Sequence, residues 1–107
     1  MSYKVEVSSN FSKEAKRLVK KYRSLKDDIA QLIADLETEP TTGTPLGQNI
    51  YKIRLTTTSK GKGKSGGLRV MTLVQVLEKE VILFTIYNKS EKSTLSDKEI
   101  RKLIGGL

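Results

Sequence analysis

The chain contains no cysteine and no histidine among its 107 residues. Without cysteine it forms neither disulfide bonds nor thiolate zinc sites, which is typical of a cytoplasmic protein. Without histidine it lacks the side chain that most often acts as a general base near neutral pH and as a metal ligand. Any acid–base chemistry must therefore use lysine, arginine, tyrosine or carboxylate groups, and we expect no metal and no cofactor.

Long apolar segments are also missing. No run approaches the roughly 20 residues that cross a bilayer, and the N-terminal sequence MSYKVEVSS lacks the apolar centre of a signal peptide. We therefore predict a cytoplasmic protein with no membrane partner. With 107 residues and 36% hydrophobic content, the chain is long enough for one modest core, so we expect a single domain over residues 1–107.

Acidic residues are absent from a long central segment, although they occur on both sides of it. Between Glu39 and Glu78 there is no Asp or Glu, and the formal net charge of the whole chain is +8. The cations of this segment are Lys52, Arg54, Lys60, Lys62, Lys64 and Arg69. Because unopposed cations attract a polyanion, the segment predicts a nucleic-acid-binding surface.

Hydrophobic periodicity predicts the element order β-α-α-β-β-β-α. Alternation predicts strands at 3–7, 51–55, 68–77 and 81–87, and helical spacing predicts helices at 11–22, at 25–36 and after residue 96. The first two helices have matching apolar stripes and a short connection, which is typical of an antiparallel hairpin. We expect an α+β fold in which this hairpin packs on a mainly antiparallel four-stranded sheet, with 41–48 as a loop. The first strand can join the sheet beside its third or its fourth strand.

Capping residues mark the starts of the three helices. The predicted N-caps are Ser9 or Asn10 for the first helix, Ser24 with Asp27 for the second, and Ser96 with Glu99 for the third.

The strand at 51–55 separates apolar from cationic side chains. Its period of two turns Tyr51, Ile53 and Leu55 toward the helices and places Lys52 and Arg54 together on an open face, about 7 Å apart. The following loop, with Lys60, Lys62 and Lys64, resembles a P-loop only superficially. The first glycine of that motif would fall at Thr58, and the segment leads into a strand. Its glycines nevertheless allow backbone amides to approach an anion closely.

These residue types are compatible with metal-free RNA cleavage. Attack by the 2′-hydroxyl of RNA needs a base for that hydroxyl, cations at the phosphate and a proton for the leaving 5′-oxygen. Crowding by other cations lowers the pKa of a lysine and makes it a better base. Arginine stays charged and binds two phosphate oxygens, so Arg54 or Arg69 suits the stabilisation of the transition state.

Three strand sequences carry a resemblance to a known family. YKIRL, GLRVMTLVQV and VILFTIYNKSEK, in the order given above, resemble the RelE/ParE superfamily of bacterial toxins, and the insertion SKGKGKSGG is most similar to its HigB-like branch. The resemblance implies a small RelE-like fold and the toxin of a type II toxin–antitoxin system. It also implies a metal-independent endoribonuclease, an mRNA interferase that inhibits translation. The implied partners are mRNA on the ribosome, with 16S rRNA contacts, and a cognate antitoxin of helix-turn-helix or partly disordered type.

The resemblance carries over residue by residue. The family's basic strand pair falls on Lys52 and Arg54, its phosphate-binding arginine on Arg69, and its later basic cluster on Lys89, Glu91 and Lys92. The resulting catalytic candidates are Lys52, Arg54, Lys62 and Arg69, and the candidate RNA or phosphate contacts are Lys60, Lys64, Lys89 and Lys92.

The chain departs from the RelE pattern at two positions. Ser90 stands where the family has an arginine, and Leu95 or Ser96 stands where it has a base-stacking tyrosine. The base and the acid are therefore not assigned, with the insertion lysines as candidates, and Tyr87 is either an RNA contact or a core residue. Two other functions stay open. One is a ParE-like toxin that acts on a topoisomerase without cutting RNA, and the other is a non-catalytic basic nucleic-acid-binding domain.

Overall fold

A computed structural model describes residues 2–57, 67–92 and 94–107. The elements are β1 (Lys4–Val7), α1 (Ser9–Val19), α2 (Leu25–Thr38), β2 (Thr44–Gly47), β3 (Ile50–Leu55), β4 (Leu68–Gln75), β5 (Glu80–Asn88) and α3 (Asp97–Gly105). The strands form one sheet in the order β1-β5-β4-β3-β2. Only β1 and β5 pair in parallel. The predicted α+β fold is confirmed, with five strands instead of four. None of the helices in these ranges has the length and apolarity to cross a bilayer.

The additional strand is β2, and the prediction of a loop over 41–48 is wrong at this point. β2 pairs antiparallel with β3, with Thr44 opposite Lys52. A turn of three left-handed residues, Gly47, Gln48 and Asn49, folds β2 back onto β3. Pro45 and Gly47 are unfavourable inside a sheet, but a proline is tolerated in an edge strand such as β2. The composition of residues 41–48 therefore gave no indication of β2, which forms because the turn brings it against the edge of β3.

The structure shows which strand β1 joins in the sheet. β1 lies beside β5, the last strand, with Lys4 opposite Glu80 and Val7 opposite Leu83. The connection from β1 to its neighbour therefore runs through both helices of the hairpin and through β2, β3 and β4.

Two of the three predicted helix caps need correction. α1 is capped by Ser8, whose Oγ accepts from the Phe11 amide at 3.1 Å, and not by Ser9 or Asn10. Ser24 does occupy the N-cap position of α2, but its hydroxyl donates to the Asp28 carboxylate at 3.1 Å, without a side-chain bond to the backbone. The box of Ser96 and Glu99 at the start of α3 is confirmed.

The sheet has a core on each face. The hairpin-side core is formed by α1, α2 and the facing strand residues Ile53, Leu55, Leu68, Val70, Val74, Val81, Leu83 and Ile86. The α3-side core is formed by Ile50, Met71, Phe84, Tyr87 and Ile100, with Leu73, Leu95, Leu103 and Ile104 packed against it. The face of Lys52 and Arg54, predicted to be open, is thus partly covered by α3. The sequence pattern of α3 is amphipathic, but it does not say against which face the apolar stripe packs.

Candidate nucleic-acid interface

Three polar side chains form one row across β3, β4 and β5, hereafter the Arg54–Arg69–Tyr87 row. Arg54 lies directly opposite Arg69, and Arg69 lies directly opposite Tyr87. Residues directly opposite each other in antiparallel strands point to the same face and have Cα atoms about 4.5–5.5 Å apart. The row therefore lies on the face that α3 partly covers, at the end of β3 and the beginning of β4.

A β-bulge in β5 places Tyr87 in this row. Met71 pairs with Thr85 and Thr72 pairs with Leu83, so that Phe84 is an extra residue in β5. Before the bulge, alternate residues from Val81 face the hairpin. After it Ile86 does so, and Tyr87 faces α3. Without the bulge, strict alternation would turn Tyr87 toward the hairpin.

Two side chains from the start of α1 hold the bulge. The Phe84 carbonyl accepts from Ser8 Oγ at 3.2 Å and from Asn10 Nδ2 at 3.1 Å. Asn10 Nδ2 also lies 3.1 Å from Thr85 Oγ1. A bulged carbonyl that leaves the ladder would otherwise lose its partner inside the protein, and these bonds remove that cost.

The two arginines of the row differ in exposure. Arg54 is exposed, whereas Arg69 keeps only 8% of its surface and donates from Nη1 to the Leu68 carbonyl at 3.2 Å. Like charges directly opposite each other in a sheet are unfavourable. An anion between them reverses the sign of that interaction, and a guanidinium can bind phosphate through two parallel bonds. The pair therefore has the charge and the donor groups of a phosphate site.

Tyr87 adds a hydroxyl to the row. Its side chain is 7% exposed, and its hydroxyl oxygen has no hydrogen-bond partner among the described residues. Burial raises the pKa of Tyr87, and the nearby positive charges of Arg69 and Lys92 oppose that rise. The phenol is therefore neutral near pH 7 and able to donate a hydrogen bond.

Lys52 lies on the same face, two residues before Arg54 in β3. It is half-buried and faces Met71 across the strand pair. It lines a groove of about 740 Å³ between the β2–β3 turn and α3, together with Asp97 and Arg101. The structure thus brings Lys52 close to the row, but it also places a carboxylate from α3 in the same groove.

The basic residues after β5 have different surroundings. The Lys89 amide donates to the Gly67 carbonyl at 2.6 Å, so this residue lies where the chain enters β4. The ammonium of Lys92 is 2.7 Å from a Glu99 oxygen, which compensates its charge. Glu91 pairs with Arg17 at 3.2 Å.

The insertion lysines Lys60, Lys62 and Lys64 lie outside the described residues. The described chain stops at Thr57 and resumes at Gly67, on either side of the terminal pair of Leu55 and Leu68. This pair is one residue beyond the arginines of the row. Thr57 and Gly67 therefore lie at the same end of the sheet as the row.

Metal ligands do not cluster in the described parts of the chain. Within 2–57, 67–92 and 94–107, no group of three or more Asp or Glu residues could hold a metal ion, and the sequence has no His or Cys.

Sequence reasoning missed two contributors to this surface. Asn10 was considered only as a helix cap and Glu99 only as part of a capping box, whereas they hold the bulge and pair with Lys92. No sequence signal identifies the bulge, since VILFTIYN reads as an uninterrupted apolar strand. The polar side chain of Asn10, placed three residues after β1, is the nearest hint.

Comparison with known proteins identifies one family and several solved structures of similar fold. The model of the family described as "RelE toxin of RelE / RelB toxin-antitoxin system" matches residues 5–104. A free RelE toxin from E. coli that carries two arginine-to-alanine substitutions has a similar structure, with a TM-score of 0.66 and 14% identity over 100% of this chain and 99% of that one. A metal-bound toxin from Helicobacter pylori is also similar, with a TM-score of 0.53 and 25% identity over 84% of this chain and 98% of that one. No curated protein matches the sequence.

Proposed function

Because this chain belongs to the RelE family of toxins of toxin–antitoxin systems, we propose that it is a ribosome-dependent, metal-independent mRNA endonuclease. It cuts mRNA that is being translated, inhibits translation in the cytoplasm and arrests growth until its antitoxin binds. The HigB-like subgroup is part of this proposal and depends on the insertion at 59–67, with its three lysines.

The single observation that supports this function best is the pair of opposed arginines. Arg54 and Arg69 face each other on one side of the sheet, where an anion bound between them would interact favourably with both charges. A scissile phosphate is such an anion.

The proposed reaction uses the 2′-hydroxyl of the substrate as nucleophile. A base removes its proton, the 2′-oxygen attacks phosphorus, and the bond from phosphorus to the 5′-oxygen breaks as that oxygen takes up a proton. Arg54 and Arg69 stabilise the charge of the pentacoordinate phosphate. Lys52 and Lys62 are the candidate proton-transfer groups, because the chain has no histidine for this role. Lys60, Lys64, Lys89 and Lys92 contact the RNA backbone.

The family implies an antitoxin partner. We propose that it is acidic, because the face it must silence is basic, and that it is of helix-turn-helix or partly disordered type. The antitoxin must neutralise the positive charge of the row and of Lys52.

Primer extension on translated mRNA tests the nuclease, with and without ribosomes and with EDTA. We expect cuts within codons that require ribosomes and persist in EDTA. Arg69→Lys keeps the charge but removes the bidentate geometry, and loss of one charge-assisted bond corresponds to about a 10- to 100-fold lower rate. Lys4→Ala is the matched control, since Lys4 is opposite Glu80, about 23 Å along β5 from Tyr87.

The other outcomes separate the alternatives. Growth arrest without cleavage would favour a ParE-like toxin that acts on a topoisomerase. Binding of RNA without cleavage or arrest would leave a basic binding domain. Equal rates for Arg69→Lys and the wild type would contradict the phosphate role of Arg69.

A further inference from the structure

We propose that Tyr87 contacts the scissile phosphate through its hydroxyl and that Asn10 is the positioning residue that keeps Tyr87 in place. This inference rests on the proposed nuclease function and adds a third group to the phosphate site of Arg54 and Arg69. Sequence reasoning left the role of Tyr87 open between the core and the RNA.

The proposed contact is supported first by the hydrogen bonding of the Tyr87 hydroxyl. It is buried and has no hydrogen-bond partner among the described residues, although the ring around it is well packed against the α3-side core. A phenylalanine would fill the same space without burying an unpartnered polar atom. A hydroxyl kept at that cost, directly opposite Arg69, indicates that a ligand supplies the missing acceptor. A phosphate oxygen held by the arginines is such an acceptor.

Second, a bulge in β5 places Tyr87 on the same face of the sheet as the two arginines. Phe84 is the only extra residue in the pairing of β4 with β5, and its carbonyl is held by Ser8 and Asn10. Bulges bend a strand and redirect the side chains that follow them. Here the redirected side chain is Tyr87, which leaves the hairpin side and joins the arginines. Asn10 therefore acts on the site through the backbone of β5.

Third, Tyr87 lines a cleft of about 440 Å³ between α1 and α3, with Lys92 and Leu95 also in its wall. This volume is within the range of small-ligand sites in proteins. The three carboxylates of the cleft are engaged in ion pairs, with Glu14 and Glu91 on Arg17 and Glu99 on Lys92.

Removal of single hydroxyl groups tests the role of Tyr87. We compare Tyr87→Phe with two matched controls, Tyr22→Phe, whose hydroxyl accepts from Asn88 Nδ2 on the hairpin side at 2.9 Å, and Thr72→Val, which removes the other buried hydroxyl without a partner among the described residues. The measurements are the single-turnover cleavage rate on ribosomes and the affinity for ribosomes carrying mRNA with a 2′-deoxy nucleotide at the cleavage site. We expect Tyr87→Phe to cleave about 10- to 100-fold more slowly, and both controls to cleave like the wild type.

Wild-type rates for Tyr87→Phe, together with a large loss for Arg69→Ala, would overturn the inference and leave the nuclease proposal standing. If the wild-type protein does not cleave RNA, the nuclease proposal fails by itself. The contact is then judged with inorganic phosphate, followed by NMR at the ring signals of Tyr87. Weaker phosphate binding by Tyr87→Phe would support the contact, and equal binding by both proteins would overturn it.

A double-mutant cycle tests the positioning role of Asn10. Asn10→Ala removes the bonds to the Phe84 carbonyl and to the Thr85 hydroxyl, and we expect it to slow cleavage. If Asn10 acts through Tyr87, the same change in a Tyr87→Phe background has little further effect on the rate. A fully additive loss would show that Asn10 acts on the fold in general and would overturn this part of the inference.

Discussion

Tyr87→Phe is expected to make the protein more stable while it makes the toxin slower. The substitution removes one oxygen atom and leaves the ring, which is 7% exposed in the α3-side core with Met71, Phe84 and Ile100. Because the hydroxyl has no partner among the described residues, no hydrogen bond of these residues is lost.

The magnitude follows from the burial of this hydroxyl. A buried polar group without a hydrogen bond costs about 1–3 kcal/mol, so a gain of about 1 kcal/mol in the free energy of unfolding is a conservative expectation. For a domain of this size, 1 kcal/mol raises the midpoint of thermal unfolding by about 4–8 °C. Tyr22→Phe should have the opposite sign. It removes the acceptor of the Asn88 amide at 2.9 Å and should cost about 0.5–1.5 kcal/mol.

The assay is urea unfolding of the three proteins, followed by circular dichroism, with thermal unfolding as a second measurement. The slope of the free energy against urea should be the same for all three, so that the midpoints report stability alone. A destabilised Tyr87→Phe protein would refute the reasoning, because it would show that the hydroxyl has a favourable partner in the free protein. A gain in stability with a loss of cleavage is the pattern of a residue retained for function.

Three further predictions concern the surroundings of the site. Lys92 lowers the pKa of Glu99 from 4.5 to about 2, mainly through its side-chain hydrogen bond. The stabilisation of the folded protein by this contact is therefore complete above about pH 5 and is lost as the pH falls toward 2. Urea unfolding should show that Glu99→Gln is less stable than the wild type at pH 7 and equally stable near pH 2. Gly43 has a φ of +107°, and a Cβ there would be 2.6 Å from the Lys52 carbonyl oxygen; thermal unfolding should therefore show a loss of about 1–3 kcal/mol for Gly43→Ala, and an unchanged midpoint would contradict the close contact. Arg54→Ala should lower the slope of log affinity for single-stranded RNA against log salt concentration by about 0.7, the value for one phosphate contact, and an unchanged slope would remove Arg54 from the interface.

Much of the fold could be predicted from the sequence, because the signals are local. The stripe of Leu25, Ile29, Leu32 and Leu36 has the spacing of one helix face, and α2 spans these residues. The box of Ser96 and Glu99 likewise involves four consecutive residues and is present at the start of α3. The period-two alternation of residues 51–55 predicted that β3 has one apolar face and one cationic face. β2 was missed, because the edge of β3 and the left-handed turn at 47–49 form it against the preference of Pro45.

The candidate site was predictable only in its charge. That the segment between Glu39 and Glu78 carries six cations and no acid is a property of the sequence alone, and it predicts a phosphate-binding surface wherever the segment lies. The partners of the basic residues around the site are not local. Glu99 follows Lys92 by seven residues and meets it because α3 packs back onto the sheet, and Asp97 reaches the groove of Lys52 for the same reason.

The sequence by itself therefore determined the helices, most of the strands and the sign of the charge, since each depends on residues within a few positions of one another. The tertiary structure decided the register that sets Arg54 opposite Arg69, the packing of α3 over the predicted open face, and the bulge at Phe84. The bulge depends on Asn10, which lies 74 residues away in the chain. A shift of one residue in β5 turns Tyr87 from one face of the sheet to the other, and only the folded protein contains the contacts that fix it.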